Sequence, residues 1–193
     1  MLVRSVFAVA ASLLPTAPAG AQAFADWPHW RGPMRDGVSL ESDWNPVGRA
    51  DVAWNRDVGV GHSSFSVVGG TVYALGHDVA AGVDRLTALD VADGTARWSV
   101  EWAAERLDNS HEGGTLTTPA VSHGMVHVTS RDGRVAAYDA ATGEPRWSVA
   151  LAERLEVAQP SWGFAASPVV TADAVHVSLG VVAALDAETG ALL

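Results

Sequence analysis

Seven histidines are the residues of this sequence best suited to bind a metal ion or move a proton. Two of them, His127 and His176, lie 49 residues apart and each stands between two valines. Tyr73 occupies the matching place one repeat earlier. Equivalent positions in successive repeats indicate packed, hydrogen-bonded side chains, and no carboxylate or second histidine stands at a metal-site spacing from them. We therefore predict structural histidines and no metal site.

Two long connections, residues 103–116 and 152–166, are the better places for a ligand, because binding residues concentrate on loops held by a rigid scaffold. A histidine beside a glutamate can orient a water or a ligand, and an indole offers a stacking face. The alternative interpretation is an ordered polar loop and a structural aromatic. The candidate ligand-binding residues are Asn109, His111 and Glu112 in the first connection and Trp162 in the second.

Composition excludes several other chemistries. Cysteine is absent, which removes disulfides, thiol catalysis and thiolate metal sites. Twelve arginines, no lysines and 22 acidic residues give a formal charge of −10, which argues against nucleic acid or an anionic membrane as a partner. No Gly-x-Ser-x-Gly elbow, phosphate loop or His-Glu-x-x-His occurs. The sequence therefore predicts no catalytic residue.

The element that must position these residues is a repeat. Residues 137–147 are preceded by a copy at 88–98 and followed by a partial copy at 184–193. In each copy an apolar strand ends at an aspartate whose carboxylate can accept hydrogen bonds from the turn, a glycine supplies positive φ, and a strand returns. The repeated structural residues are Asp90, Gly94, Trp98, Asp139, Thr142, Gly143, Trp147, Asp186, Thr189 and Gly190.

A fixed period of nearly 50 residues is typical of repeat architectures, and the many short strands predict an all-β chain. Gly69-Gly70 and Asp132-Gly133 are hairpin signals, Pro145 places its strand at a sheet edge, and residues 76–84 are predicted as an insertion. The predicted strands are 64–68, 71–75, 86–90 and 96–102; 117–121, 125–130, 134–139 and 146–151; and 167–170, 174–179 and 181–186.

The pattern Ala-x-Asp-x-x-Thr-Gly-x-x-x-Trp in residues 137–147 resembles the tryptophan-docking repeat of pyrroloquinoline-quinone (PQQ) type β-propellers. Residues 88–98 depart from it at Asp93, where threonine is usual. The resemblance implies an incomplete propeller of about three four-stranded antiparallel blades, in which each tryptophan packs into the neighbouring blade. Kelch and WD40 repeats fit less well, because only Gly69-Gly70 suits a kelch blade and Trp-Asp is absent.

The rest of the chain fits an exported protein. Residues 1–25 read as a signal peptide whose apolar run is too short to span a membrane. Residues 26–50 are predicted as an extended arm with buried indoles, similar to the lead-in of exported bacterial PQQ-like propeller proteins. Residues 51–193 are predicted as the partial propeller, with a lone strand at 51–57 and blades at 63–102, 117–151 and 166–193, the last truncated. The sequence is therefore expected to be a fragment of a longer protein.

Two functions follow from the resemblance. The first is an exported, periplasmic or extracellular, non-catalytic binding or protein-interaction scaffold, similar in fold to the barrel-assembly propeller but without its lipid-anchor cysteine. Its partner would be a protein or the missing remainder of the propeller. The alternative is a fragment of a PQQ-dependent dehydrogenase, which would need about eight blades, a calcium site and a catalytic aspartate. No cofactor is evident from the residues, and PQQ enters only through the resemblance.

Overall fold

A computed structural model describes residues 26–42, 47–48, 51–107 and 113–193. In these residues the strands form three antiparallel sheets, and the sole helix is a single turn, α1 (Leu151–Arg154). None of the helical structure described is long and apolar enough to cross a membrane. The predicted signal peptide, residues 1–25, lies outside the described residues. The all-β prediction is confirmed.

The first two sheets are four-stranded meanders in which each strand pairs with the next along the chain. The turn at Gly69 and Gly70 has φ of 55° and 73°, as a two-residue hairpin with the twist of its strands requires. The first sheet contains β1 (Ser66–Val68), β2 (Thr71–Asp78), β3 (Val83–Asp90) and β4 (Ala96–Ala103). The second contains β5 (Ala120–Ser122), β6 (Met125–Thr129), β7 (Arg134–Asp139) and β8 (Pro145–Ala150). Pro145 lies in an edge strand, as predicted.

The third sheet has three strands, β9 (Val169–Val170), β10 (Ala174–Ser178) and β11 (Val182–Asp186), in the order β11-β10-β9. Leu192 forms a single bridge to Leu185 of β11, at the place where β4 and β8 begin in the other sheets. In all three sheets, therefore, each strand pairs with the next strand along the chain.

The sheets pack face to face through two apolar cores. The first, between sheets one and two, includes Leu86 and Ala136, and the second, between sheets two and three, includes Val135 and Val175. Because successive side chains of a strand point to opposite faces, Val135 and Ala136 of β7 enter different cores. The second sheet is therefore covered on both faces, as a middle blade must be.

The N-terminal arm runs along the innermost strands of all three sheets. Trp27 exchanges two backbone hydrogen bonds with Val67, the N–H of Val121 donates to Pro28 O, and Arg35 donates to Val170 O at 3.1 Å. Residues 30–37 form tight turns, so this part of the arm is not extended as predicted. Trp27 is half-buried, but Trp30 is 57% exposed, and the prediction that both indoles are buried is wrong for Trp30.

Two further predictions are corrected and one is made more specific. Residues 51–57 form no strand: they lie against the first sheet through the side chains of Trp54 and Arg56, which donate to Val91 O and Gly94 O. Residues 76–84 are longer than their counterparts, as predicted, and consist of the end of β2, a turn at 79–82 and the start of β3. Residue 151 starts the helical turn and does not end β8, and its side chain is fully buried in the second core.

The inner strands are also shorter than predicted, and groups at or just before their first residues bond across the sheets. Ser66 Oγ donates to Pro119 O at 2.6 Å, and the N–H of Thr118 donates to Ser167 Oγ at 2.8 Å. These bonds join sheet one to sheet two and sheet two to sheet three near the arm.

Candidate functional site

The repeated aspartates hold the turns that end the third strand of each sheet. Oδ1 of Asp139 accepts the N–H groups of Ala141 and Thr142 at 2.9 Å, and Oδ2 accepts from Arg146 at 2.5 Å. Arg146, followed by the turn N–H of Thr142, lowers the pKa of Asp139 to about 2. Gly143 closes the turn with φ of 76°, a backbone conformation that favours glycine.

The other two turns use the same device with different partners. Asp90 pairs with Arg97 at 2.8 Å, which is the main reason that the pKa of Asp90 is lowered. Asp93, where the repeat usually has threonine, accepts the N–H of Thr95 at 2.8 Å. Asp186 instead accepts both the hydroxyl and the N–H of Thr189, at 2.7 and 2.8 Å, and its pKa is lowered as well. A short acidic side chain therefore replaces the threonine without loss of the turn.

In the first two sheets the repeated indole of the outer strand lies on the turn glycine of the next sheet. Trp98 donates from Nε1 to Ala140 O at 3.1 Å, and its ring lies so close to Gly143 that an added Cβ would be 2.7 Å from Cε3. The same arrangement occurs twice more, with Trp147 on Gly190 (Nε1 to Ala187 O, 3.0 Å) and Trp54 on Gly94 (Nε1 to Val91 O, 2.9 Å). The repeated tryptophans thus lie between sheets.

Beside two of these indoles lies a polar ring at one repeat position. Tyr73 OH donates to Ala140 O at 3.0 Å, and its ring is 5.9 Å from that of Trp98. His127 is fully buried, and the centroid of its ring is 5.8 Å from that of Trp147. Its Nε2 lies 3.5 Å from Ala187 O. Burial raises the pKa of Tyr73 and lowers that of His127, because both charged forms lose hydration.

His176, the next member of this series, is only half-buried, and its Nε2 lies 3.3 Å from the Thr171 hydroxyl. Throughout the described ranges, no three His, Cys, Asp or Glu side chains come together in a way that could hold a metal ion. His127 and His176 thus lie in separate sheets and each contacts its own neighbours.

A buried ionic cluster joins sheets one and two at the opposite end from the repeated turns. His77, Asp84 and Arg131 are 1%, 1% and 4% exposed. Oδ1 of Asp84 lies 2.8 Å from both His77 Nδ1 and Arg131 Nη2, and Arg131 Nη2 is 3.2 Å from the same His77 nitrogen. Because the ionised carboxylate is an acceptor only, His77 carries its hydrogen on Nδ1 and donates it to Asp84.

A cavity of about 230 Å³ opens beside this cluster. Its walls come from the ends of β3 and β4, the turn between β6 and β7, and the described parts of both long connections. The residues that line it include Asp84, Trp102, Glu105, Arg131, Asp132 and Gln159. Three carboxylates and one guanidinium therefore line the cavity. PQQ, the quinone implied by the resemblance, is itself a tricarboxylate, so this cavity does not fit it.

The four ligand-binding candidates are not brought together in the described structure. Asn109, His111 and Glu112 lie outside the described residues. Trp162 is 60% exposed and belongs to the second connection, whose Phe164 N–H donates to Arg131 O at 2.9 Å. Trp162 therefore stands at the same end of the sheets as the cavity without lining it.

Sequence reasoning missed the cluster because it took residues 76–84 for an insertion. A signal was present: Asp78 and Gly82 have the same spacing as Asp90 and Gly94, and they form the same kind of turn. Asp78 Oδ1 accepts two backbone N–H groups, and Gly82 has φ of 67°. Reading this as a hairpin turn would have paired His77 with Asp84, as the register of β2 and β3 does.

Three sheets stacked about an N-terminal arm and joined by recurring indole contacts define an incomplete β-propeller. The family model described as outer membrane protein assembly factor BamB matches residues 45–193. The chain belongs to this family of PQQ-like β-propeller repeat proteins.

Several solved structures are similar to this chain. Europium-containing methanol dehydrogenase is 24% identical with a TM-score of 0.66, over 87% of this chain and 31% of that one. Quinohemoprotein alcohol dehydrogenase from Comamonas testosteroni is 24% identical with a TM-score of 0.66, over 90% of this chain and 27% of that one. BamB from Moraxella catarrhalis is 24% identical with a TM-score of 0.44, over 73% of this chain and 38% of that one.

The likeness to the two dehydrogenase structures confirms the propeller fold and does not extend to activity. The chain spans under two fifths of the length of each of these structures. Curated proteins give no match to this sequence.

Proposed function

We propose that this chain is a non-catalytic binding scaffold: part of an exported PQQ-like propeller that presents loops to a protein partner. The observation that carries the proposal is that the repeated polar groups are all engaged in structural hydrogen bonds. The carboxylates of Asp90, Asp139 and Asp186 hold turns, and the indole N–H groups of Trp98 and Trp147 join sheets. We interpret the indole contacts as the tryptophan docking of the family, which leaves recognition to the loops.

The surface for the partner is the end of the sheets from which the long connections extend. Trp162, 60% exposed, is its anchor, because a large aromatic side chain on a rigid scaffold supplies much of the binding energy at protein interfaces. Asn109, His111 and Glu112 are proposed to extend this surface. Cleavage of residues 1–25 would place the protein in the periplasm or outside the cell.

The test compares the intact protein with Trp162→Ala and with a matched control, Trp30→Ala, whose indole is 57% exposed on the N-terminal arm. A partner cross-linked to the exported protein in cells is identified by mass spectrometry, purified, and titrated against each form. We expect Trp162→Ala to weaken its binding at least tenfold, as for an interface anchor, and Trp30→Ala to leave it unchanged. Equal affinities for all three forms would remove Trp162 from the interface.

A second titration addresses catalysis. PQQ and Ca²⁺ are added to the intact protein, and absorbance and alcohol-dependent dye reduction are followed. The scaffold proposal expects neither saturable quinone binding nor dye reduction. Both together would assign the chain to a quinoprotein dehydrogenase instead.

A further inference from the structure

Two residues that line the cavity between sheets one and two carry buried hydrogen-bond donors that have no acceptor among the described residues. Nε and Nη1 of Arg131 and Nε1 of Trp102 are all buried, and within the part of the chain that the structure describes none of them has a hydrogen-bond partner. Both residues line the cavity. A buried donor without an acceptor destabilises a protein, so three of them at one cavity point to a ligand that supplies acceptors.

These donors are held in place by the protein. Asp84 accepts from Nη2 of Arg131 at 2.8 Å and so fixes the guanidinium while leaving Nε and Nη1 free of it. The backbone of Arg131 is fixed by Phe164, whose N–H donates to its carbonyl. The Trp102 ring is stacked on Tyr138, with centroids 6.3 Å apart and planes 15° apart. The donors are therefore fixed in position at the wall of the cavity.

The charges around the cavity select the kind of ligand. The Arg131 guanidinium is already paired with Asp84, and Glu105 and Asp132 add two more carboxylates. An anion would be repelled by this lining, whereas an uncharged ligand would not. Its oxygens can accept from the three donors, and its hydroxyl groups can donate to the carboxylates or to Gln159. About 230 Å³, roughly eight times the volume that a water molecule occupies in the liquid, is the size of one sugar ring.

We propose that the cavity between the first two sheets, lined by Trp102 and Arg131, binds an uncharged polyhydroxylated ligand of the size of one pyranose ring. This site lies at the same end of the sheets as the proposed protein-binding surface, but Trp162 does not line it, so each proposal has its own test.

The test follows the indole N–H signals of the intact protein by ¹H–¹⁵N NMR. The Trp102 signal is identified as the one lost in Trp102→Phe, which removes the donor and keeps an aromatic ring against Tyr138. Methyl glucoside, methyl galactoside and N-acetylglucosamine are each added, and acetate and citrate are added separately at matched ionic strength. Three new hydrogen bonds correspond to a dissociation constant of about 1 mM, so titration to about 100 mM reaches saturation.

We expect at least one of the neutral sugars to shift the Trp102 signal saturably and the two anions to leave it unchanged. Trp102→Phe should weaken binding of that sugar, measured by calorimetry, about fivefold. Arg131→Lys keeps a positive charge beside Asp84 but loses the planar set of donors, so it should weaken binding at least tenfold. The control Trp30→Phe, outside the cavity, should bind like the wild type.

Other results overturn the proposal. A shift with acetate or citrate alone would make the site an anion site. No shift with any compound would mean that water satisfies the donors. If Arg131→Lys fails to fold, Gln159→Ala at the exposed rim serves in its place, and wild-type affinity in both Gln159→Ala and Trp102→Phe would place the sugar elsewhere.

Discussion

The contact between Trp98 and Gly143 makes a quantitative prediction, because another glycine provides a matched control. Gly143 has φ of 76°, and a Cβ added to it would lie 2.7 Å from Cε3 of Trp98. Gly124 has φ of 71°, but a Cβ there would meet nothing within 4 Å. Substitution by alanine therefore strains both backbones equally and displaces the indole only at Gly143.

The expected costs follow from these distances. An L-residue at positive φ costs about 1–2 kcal/mol, which is the whole effect expected for Gly124→Ala. Gly143→Ala adds an overpacking cost of about 1–3 kcal/mol, since the Trp98 ring must move away from a contact of 2.7 Å. The shift also lengthens the 3.1 Å bond from its Nε1 to Ala140 O, which adds about 1 kcal/mol.

Urea unfolding of the intact protein, followed by circular dichroism, measures both variants. Gly143→Ala should lower the free energy of unfolding by about 2–4 kcal/mol more than Gly124→Ala does. In a Trp98→Leu background the two substitutions should cost nearly the same, because the clash is then absent. Equal costs in the wild-type background would refute the conclusion that the indole bears on the turn glycine of the next sheet.

Three further predictions concern pH and association. The lowered pKa of His127 means that the unfolded chain binds more protons than the folded chain as pH falls through 6.5, so stability should decline there. His127→Gln should reduce that decline in urea midpoints. His29, whose pKa burial also lowers, should account for part of the remainder. The lowered pKa of Asp139 contributes stability above pH 3.8 that is lost as pH falls from 3.8 to about 2, and Asp139→Asn should remove this part of the acid transition seen by circular dichroism. The 193-residue chain should self-associate through the edge strand β11, where Val182 is 81% exposed. Val182→Lys should shift the sedimentation distribution towards the monomer. An unchanged distribution would exclude this edge as the site of association.

The sequence predicted the parts of the fold that depend on backbone chemistry repeated at a fixed period. Asp139 and Gly143 predicted a turn from local hydrogen bonding and positive φ, and both do this in the structure. The pairing order followed from the same turns, and the edge position of Pro145 followed from its missing backbone N–H. What failed was the treatment of segments outside the repeat, such as residues 51–57, which lack a partner strand and are held by side chains.

The candidate site was not predictable in the same way, because its parts are far apart in the sequence. Arg131 reaches Asp84 across 47 residues only because sheet two packs on sheet one. Spacing within one loop, which drew attention to His111 and Glu112, carries no information on such a contact. Packing between sheets decides it.

The repeat nevertheless indicates where to look, once the sheets are superposed by register. His77 of the first sheet and Arg131 of the second occupy equivalent places, at the end of the second strand, and the third sheet has Gly180 there. The residues that recur in all three sheets maintain the scaffold. This position is histidine, arginine and glycine in the three sheets, so the scaffold does not require one residue type there. In the first two sheets the residue is nevertheless buried and contacts the same aspartate, Asp84. Function is therefore expected where the repeat is broken, and in this chain that place is the cavity beside Arg131.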